Sequence, residues 1–239
     1  NDPSKFAKFD FAIFRRILFK RAKGIIAQTE YAKNELRKQT KHTNIKVIPN
    51  FVKPISESEK QKIKNKNIIC IGRIIKVKGY DHLIDIFYAV NHKFPEWRLT
   101  ILGDGPEKDN LVAQAKALGI FNMVDFRGFQ KDVDKHLHSA KIFAFCSQSE
   151  GFPNALLEAM AAPLPCIAYD CVAGPSEIIK DGYNGYLVPL NDKQYFLEKL
   201  MILMESDSLQ EQFKSNSVKV REKFSVQILG EKYLSTILS

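Results

Sequence analysis

From Asn67 onward the chain alternates between two kinds of segment. Short apolar runs have the composition and length of buried strands, and the longer segments between them are rich in helix formers. The predicted strands lie at 68–72, 97–102, 123–126, 141–145, 165–169 and 185–188. The predicted helices between them lie near 79–93, 107–118, 132–139, 153–162 and 174–180. This alternation predicts an α/β fold with a parallel sheet and helices on both faces.

The segment before Asn67 has fewer elements. It contains a basic, aromatic helix over 6–23, a strand over 24–28, a helix over 29–38 that Thr29 caps, and a strand over 45–48. We expect residues 1–54 to be the end of an incomplete N-terminal α/β domain. Residues 55–66, rich in Ser, Glu, Lys and Asn, are the predicted linker to the domain of residues 67–224.

Three further helices are predicted in the tail of the chain. They lie near 192–204, 207–222 and 225–238. The last of them, which we assign to residues 225–239, opens at Ser225 directly after Phe224.

The stretch from Ser147 to Ala162 follows an apolar run of strand length and leads into a segment of strong helix formers. The predicted local structure is therefore strand, tight loop and helix. Gly151 allows the backbone to approach a ligand, and Pro153 suits a first helical turn, where free N–H groups bind anions such as phosphate. One carboxylate, Glu150, lies in the loop, and a second, Glu158, lies about one helical turn beyond Asn154.

The run Glu-Gly-Phe-Pro-Asn-Ala-Leu-Leu-Glu-Ala at 150–159 resembles the signature of retaining GT-B glycosyltransferases of family 4. The resemblance extends over about 21–238. It implies two Rossmann-like domains, of which the second binds most of the nucleotide-sugar donor and the final helix returns to the first. It also implies that about a hundred residues normally precede Asn1 and that the Val-Ile-Pro-Asn run at 47–50 marks the exit from the first domain. Finally, it implies that the enzyme needs no metal or other cofactor.

A second motif follows the first strand of the predicted sheet. Gly72 permits a sharp turn there, and Arg73 and Lys78 come within reach of the crevice at the strand ends. A fork-shaped Arg and a point-charge Lys suit a diphosphate whose charge grows as the sugar leaves. The family has the same Gly-Arg…Lys-Gly pattern, with both cations on the donor phosphates. We leave Lys76 unassigned.

The resemblance implies a role for each candidate site residue. Glu150 contacts the transferred sugar and acts in catalysis with Arg73 and Lys78, whereas Glu158 bonds the ribose hydroxyls. Gly128 and Phe129 follow the third strand, where the family holds the base by backbone and apolar contacts. The complete substrate-binding set is Glu158, Gly151, Phe152, Pro153, Asn154, Gly72, Gly128 and Phe129.

We expect a hexose to pass from a nucleotide sugar, UDP by family habit, to a saccharide acceptor in cell-surface polysaccharide or glycan assembly. No nucleophile is evident, which favours same-face displacement assisted by the leaving phosphate. The run Gly103–Pro106 borders the same crevice in the family, and here either a ligand contact or a simple turn remains open. The run Ala173–Ile179, which is similar to one in the family, either offers N–H groups to the crevice or is a helix cap.

The formal net charge of +9 over 239 residues is unevenly distributed. Residues 1–66 carry 17 Lys and Arg against 6 Asp and Glu, a net +11, and the remainder carries 19 against 21, a net −2. A nucleic acid, an anionic membrane or a phosphorylated substrate would each explain the basic segment. We expect a cytoplasmic protein, peripheral at the membrane, with a lipid-linked saccharide as acceptor.

Several other classes are disfavoured. A nucleic-acid-binding module lacks a recognition motif, so no nucleic-acid partner is expected, and a GT-B nucleotide-sugar epimerase would need acid–base residues across the cleft. No Gly-x-Gly-x-x-Gly follows any strand, which counts against an NAD enzyme. His136 and His138 have the wrong offset for a metal site on one helix face. The four cysteines form no Cys-x-x-Cys pair, which argues for reduced thiols rather than zinc ligands.

Overall fold

The computed structural model describes residues 17–53 and 66–238. The first part begins with helical residues 17–21, so most of the helix predicted over 6–23 lies outside the described residues, as does almost all of the linker predicted over 55–66. Within the described ranges, no helix is both long enough and apolar enough to cross a lipid bilayer.

The N-terminal part forms a small unit of two strands and one helix. Strands β1 (Ile25–Ala27) and β2 (Ile45–Val47) pair in parallel, with Ile25 opposite Ile45. Helix α1 (Glu30–Thr40) connects them, and the Thr29 side chain accepts a hydrogen bond from the Ala32 backbone N–H. The predicted cap is confirmed, and it stabilises the helix by satisfying one of its free donors.

The main sheet has six parallel strands in the order β5-β4-β3-β6-β7-β8. Its strands are β3 (Asn67–Ile71), β4 (Arg98–Leu102), β5 (Val124–Gly128), β6 (Ile142–Phe145), β7 (Cys166–Asp170) and β8 (Tyr186–Pro189). Each of the six lies within two residues of a predicted strand. The order has the doubly wound pattern of Rossmann-like folds, which reverses direction between β3 and β6.

Helices cover both faces of this sheet, as predicted. One face carries α2 (Tyr80–Asn91), α3 (Lys108–Ala117), α7 (Lys193–Glu205) and α8 (Asp207–Ser217). The other carries α4 (Val133–Ser139), α5 (Asn154–Ala161), α6 (Pro175–Ile178), α9 (Val220–Lys223) and α10 (Val226–Leu238). A hydrophobic cluster fills each interface, and this burial of both sheet faces explains why the strands are nearly continuous apolar runs.

Two predicted helices differ in extent from the observed ones. The helix predicted over 207–222 is divided into α8 and α9 at Val218 and Lys219. The residue just before the break, Ser217, donates a side-chain hydrogen bond to the Lys214 carbonyl. The helix predicted over 174–180 ends at Ile178. There the Asn184 amide donates to the Ile178 carbonyl and accepts from the Lys180 N–H, which removes backbone partners that a longer helix would use.

The N-terminal unit is attached to the core of the main sheet. Ile48 and Val52 lie in the same buried cluster as Phe224 and Leu229, and the Val52 N–H donates to the Phe224 carbonyl at 2.9 Å. The exit from β2 and the segment before α10 therefore pack together beside α5.

Candidate active site

The carboxyl ends of β3 and β6 meet at the point where the sheet order reverses. In open α/β sheets the ligand crevice lies outside such a point, because the two adjacent loops leave the sheet on opposite faces. The loop after β3 holds Arg73 and Lys78, and the loop after β6 holds Glu150. The tertiary structure thus brings the two predicted motifs to one crevice.

Close backbone contacts hold the β3 loop against two others, the loop after β4, which contains Gly103 and Asp104, and the loop after β6. The Ile74 N–H donates to the Asp104 carbonyl, and the Gln148 N–H donates to the Val77 carbonyl, at 2.9 and 2.8 Å. A Cβ on Gly103 would lie 1.9 Å from the Gly72 carbonyl oxygen. A side chain at that position would require the loops to separate, so the crevice depends on glycine there.

The central feature of the crevice is an ion pair. Lys78 Nζ lies 2.6 Å from Glu150 Oε1, and the two side chains are 22% and 10% exposed. The family resemblance implies that Lys78 binds the donor phosphates and Glu150 the transferred sugar, and in the structure the two side chains are in direct contact. This contact is compatible with both roles, because the phosphate and the sugar of a nucleotide sugar are bonded to each other.

The two other basic residues of the β3 loop differ in their surroundings. Arg73 is exposed, and no ion pair with it occurs within 17–53 and 66–238. Lys76, which we left unassigned, pairs with Asp81 at 2.7 Å, and the hydrogen bond to that carboxylate raises the pKa of the lysine. Lys76 is therefore engaged beside α2, whereas the Arg73 charge is free for an anion.

The loop between Gly151 and Asn154 forms the entry to α5. The ring of Phe152 is buried and lies 6.2 Å from that of Phe224, so a contact with substrate would come from its backbone. Pro153 immediately precedes the helix, one residue earlier than a first-turn position. A Cβ on Gly151 would meet no atom within 4 Å, which leaves room beside that backbone.

Glu158 lies in a different part of the crevice from Glu150. It lines a cavity of about 170 Å³ together with Val52, Lys53 and the segment 131–134. Burial raises the pKa of the Glu158 carboxyl, against an opposing effect of Lys53 and with a smaller contribution from Asp134. A raised pKa favours the neutral form, which can donate as well as accept hydrogen bonds.

Gly128 and Phe129 lie at the carboxyl end of β5. Gly128 has a φ of 65°, and its carbonyl accepts from the Gly103 N–H at 2.8 Å. The Phe129 side chain is 76% exposed. An exposed ring beside a turn can pack against a planar ligand, although no contact in the described residues assigns it one.

Two amides without a predicted role, Gln28 and Asn50, form a hydrogen-bonded chain that ends at Asn154. Gln28 donates to the Asn50 side-chain oxygen at 2.6 Å, and Asn50 donates to the Asn154 side-chain oxygen at 2.8 Å. This amide chain connects the N-terminal unit to the start of α5. The only sequence signal was the position of Asn50 after Pro49, at the exit from β2.

The histidines near the crevice serve other contacts. His138 is buried, and its Nδ1 lies 2.7 Å from the Asp134 carbonyl, whereas His136 lines a groove at the amino end of the sheet, opposite the crevice. Among the residues that the structure describes, no three His, Cys, Asp or Glu side chains are grouped so that they could hold a metal ion. All four cysteines are buried, and none of them forms a disulfide.

Comparison with known proteins identifies the family. A family model described as glycosyl transferases group 1 matches residues 52–220, and the chain belongs to that family. It is 31% identical over 209 residues to an uncharacterized glycosyltransferase of Haemophilus influenzae, covering 87% of this chain and 59% of the relative. The fold is accordingly the α/β fold of GT-B glycosyltransferases, as the resemblance implied.

Two other similar proteins carry more specific names. One is the N-acetylgalactosamine-N,N'-diacetylbacillosaminyl-diphospho-undecaprenol 4-alpha-N-acetylgalactosaminyltransferase of Campylobacter jejuni, 32% identical over 161 residues, covering 67% of this chain and 43% of the relative. The other is a crystal structure of a mutant TarM from S. aureus with fondaparinux, alpha-GlcNAc-glycerol and UDP. It has a TM-score of 0.84 and 28% identity, covering 92% of this chain and 44% of that one. The chain thus spans about half the length of the proteins that it matches.

Proposed function

We propose that the whole protein is a retaining glycosyltransferase that transfers a hexose-type sugar from a UDP-sugar to a saccharide acceptor. The observation that carries this proposal is the Lys78–Glu150 ion pair, at the point where the sheet order reverses and in the loop that also contains Arg73. We assign the two cations, Arg73 and Lys78, to a diphosphate, and the Glu150 carboxylate to the hydroxyls of a sugar.

The two cations would act on the leaving diphosphate. As the bond between the anomeric carbon and the phosphate oxygen breaks, its electron pair moves onto that oxygen, and Lys78 and Arg73 stabilise the growing negative charge. Glu150 already holds Lys78 in a mostly buried position, so the lysine loses little side-chain freedom when the phosphate binds. With these charges in place, we propose a reaction that needs no metal ion.

The acceptor would attack from the face that the diphosphate leaves. Its hydroxyl oxygen bonds to the anomeric carbon, and its proton passes to the departing phosphate oxygen, which preserves the configuration of the sugar. Glu150, beside Lys78, would bind a hydroxyl of the transferred sugar and fix the ring during this exchange. The remaining substrate-binding roles follow the family pattern, with Glu158 at the ribose hydroxyls and the backbone of Gly128 and the ring of Phe129 at the base.

The choice of UDP and of a cell-surface acceptor rests on the similar proteins. TarM was crystallised with UDP, and the name of the Campylobacter jejuni relative specifies an acceptor that carries diphospho-undecaprenol. We propose that residues 67–224 form the donor-binding domain, with residues 1–54 as the end of an acceptor-side domain, 55–66 as linker and 225–239 as the returning helix.

Calorimetric titration with UDP tests the donor assignment. We expect binding of UDP by this chain at millimolar concentration or below, because the crevice cations are positioned before the ligand arrives. A titration with GDP is the control for recognition of the base, and one with uridine is the control for recognition of the phosphates. Heats with UDP no larger than those of buffer at millimolar ligand would contradict the assignment.

We further propose that the protein works at the cytoplasmic membrane face on a lipid-linked acceptor. The support is the net +11 of residues 1–66, since each suitably placed Lys or Arg contributes about 1 kcal/mol of attraction to anionic lipid. Flotation should show binding to anionic but not neutral liposomes, and this binding should be lost at high salt. Equal partition to both liposomes, or none to either, would remove the support for membrane association.

A further inference from the structure

Tyr80 is a buried polar residue at the edge of the crevice to which the proposed mechanism gives no role. It is the first residue of α2, follows Gly79 directly and is 5% exposed. Within 17–53 and 66–238 no hydrogen bond to its hydroxyl occurs. The residue is buried as a whole, but its hydroxyl oxygen is not sealed from solvent, so a ligand in the crevice can reach it and accept its hydrogen bond.

The hydroxyl lies beside the phosphate-binding motif. A Cβ built on Gly72 would lie 2.9 Å from the Tyr80 hydroxyl oxygen and 3.8 Å from Lys78 Cε. The Tyr80 hydroxyl and the Lys78 side chain therefore both lie close to Gly72, at the carboxyl end of β3.

Two further features favour an anion at this position. Helix α2 has 12 residues, begins at this end of the sheet, and its N-cap residue Gly79 makes no side-chain capping bond. Free N–H groups and the helix dipole attract negative charge. Burial, with smaller effects of Cys70, Cys146 and Glu150, raises the pKa of Tyr80 well above the ordinary value for tyrosine, so the hydroxyl keeps its proton and can donate.

We propose that the Tyr80 hydroxyl is a further ligand of the donor diphosphate and donates a hydrogen bond to a phosphate oxygen that Lys78 also contacts. This inference rests on the proposed function, because it takes the bound anion to be the diphosphate of the donor. It adds a neutral hydrogen-bond donor to the cations Arg73 and Lys78.

Tyr80→Phe tests the proposal by removing one oxygen while the ring keeps its packing. Calorimetric titrations with UDP, inorganic pyrophosphate and uridine should show roughly tenfold weaker binding of UDP and pyrophosphate, and an unchanged affinity for uridine. Without ligand, the Tm of the variant should equal or exceed that of the wild type, because no hydrogen bond within the protein is lost.

Tyr169→Phe is the matched control. The Tyr169 hydroxyl likewise has no hydrogen-bond partner among the described residues, but it is buried away from solvent, and its ring packs on Phe196 of α7 with 5.0 Å between the ring centroids. This variant should bind UDP and pyrophosphate as the wild type does.

Three results would overturn the inference. If Tyr80→Phe binds UDP and pyrophosphate with wild-type affinity, the hydroxyl is not a phosphate ligand, while the proposed function stands. If Tyr80→Phe lowers the Tm and leaves both affinities unchanged, the hydroxyl has a structural role. If the wild type binds neither UDP nor pyrophosphate, the donor assignment fails and this inference fails with it.

Discussion

Two lysine–glutamate ion pairs with almost the same geometry lie at opposite ends of the main sheet. Lys78 and Glu150 are 2.6 Å apart at the carboxyl end, and Lys66 and Glu96 are 2.7 Å apart at the amino end. The side chains of the first pair are 22% and 10% exposed, and those of the second are 51% and 45% exposed. The distance alone does not show which pair can contribute to binding; burial does.

The difference follows from the structure of the two sheet ends. At the carboxyl end, glycines and backbone hydrogen bonds hold the loops against one another, so water is largely excluded from the ion pair. At the amino end, Lys66 and Glu96 border an open groove of about 950 Å³. Charges in water are strongly screened, whereas a mostly buried charge acts on a ligand through a lower effective dielectric constant. The wider groove is therefore the weaker candidate for an active site.

Gly103→Ala should give the largest effect. The new Cβ would lie 1.9 Å from the Gly72 carbonyl oxygen at a φ of 141°, so the two loops must separate. We expect a loss of about 2–4 kcal/mol in the free energy of unfolding, together with loss of UDP binding. Chemical denaturation and calorimetry measure the two effects.

Gly119→Ala is the control at the amino end. Gly119 also has a positive φ, 72°, but a Cβ there would meet no atom within 4 Å. Only the backbone strain remains, roughly 1–2 kcal/mol, and UDP binding should be retained. Equal losses in the two variants would show that close loop contact is not what distinguishes the carboxyl end.

Lys78→Ala should weaken UDP binding by about 1.5–3 kcal/mol, as expected for a lost charge-assisted hydrogen bond. It should also lower stability by about 1–3 kcal/mol, because the mostly buried Glu150 carboxylate loses its partner. Arg73→Ala should weaken UDP binding to a similar extent with little change in stability, since that side chain is exposed.

Lys66→Ala is the matched control for Lys78→Ala. It breaks a lysine–glutamate pair of similar length whose members are about half exposed, so UDP affinity and Tm should stay at the wild-type values. If Lys66→Ala weakens UDP binding as much as Lys78→Ala does, the crevice has been placed at the wrong end of the sheet.

Glu158→Gln should give the smallest change in stability, and this change should depend on pH. Burial raises the pKa of this carboxyl, so the folded state disfavours its charged form more than the unfolded state does. The penalty on stability is present above the raised pKa and disappears as the pH falls below the ordinary glutamate value. The Gln variant should therefore be slightly more stable than the wild type near neutral pH and equal to it in acid. A stability difference that grows as the pH falls would contradict the cause assigned to the shift.

Much of the main sheet could be predicted from local sequence. Buried strands flanked by helices leave a direct signal of apolar runs and helix formers, and all six strands of the main sheet were predicted within two residues. Helix ends were less predictable, because the side chains that end a helix come from elsewhere: Asn184, six residues beyond Ile178, ends α6. The break between α8 and α9 could not be predicted, because no Gly or Pro lies there in the sequence.

The sequence by itself determined which residues could carry the chemistry: two cations after one strand, two carboxylates around another, and glycines in the loops. Only the tertiary structure decided their partners. Lys78 and Glu150, 72 residues apart, meet because β3 and β6 are neighbours in the sheet, whereas Lys76, two residues away, is held by Asp81. Partner choice depends on strand order and loop packing, which involve contacts far apart in the chain and leave no pattern in the local sequence.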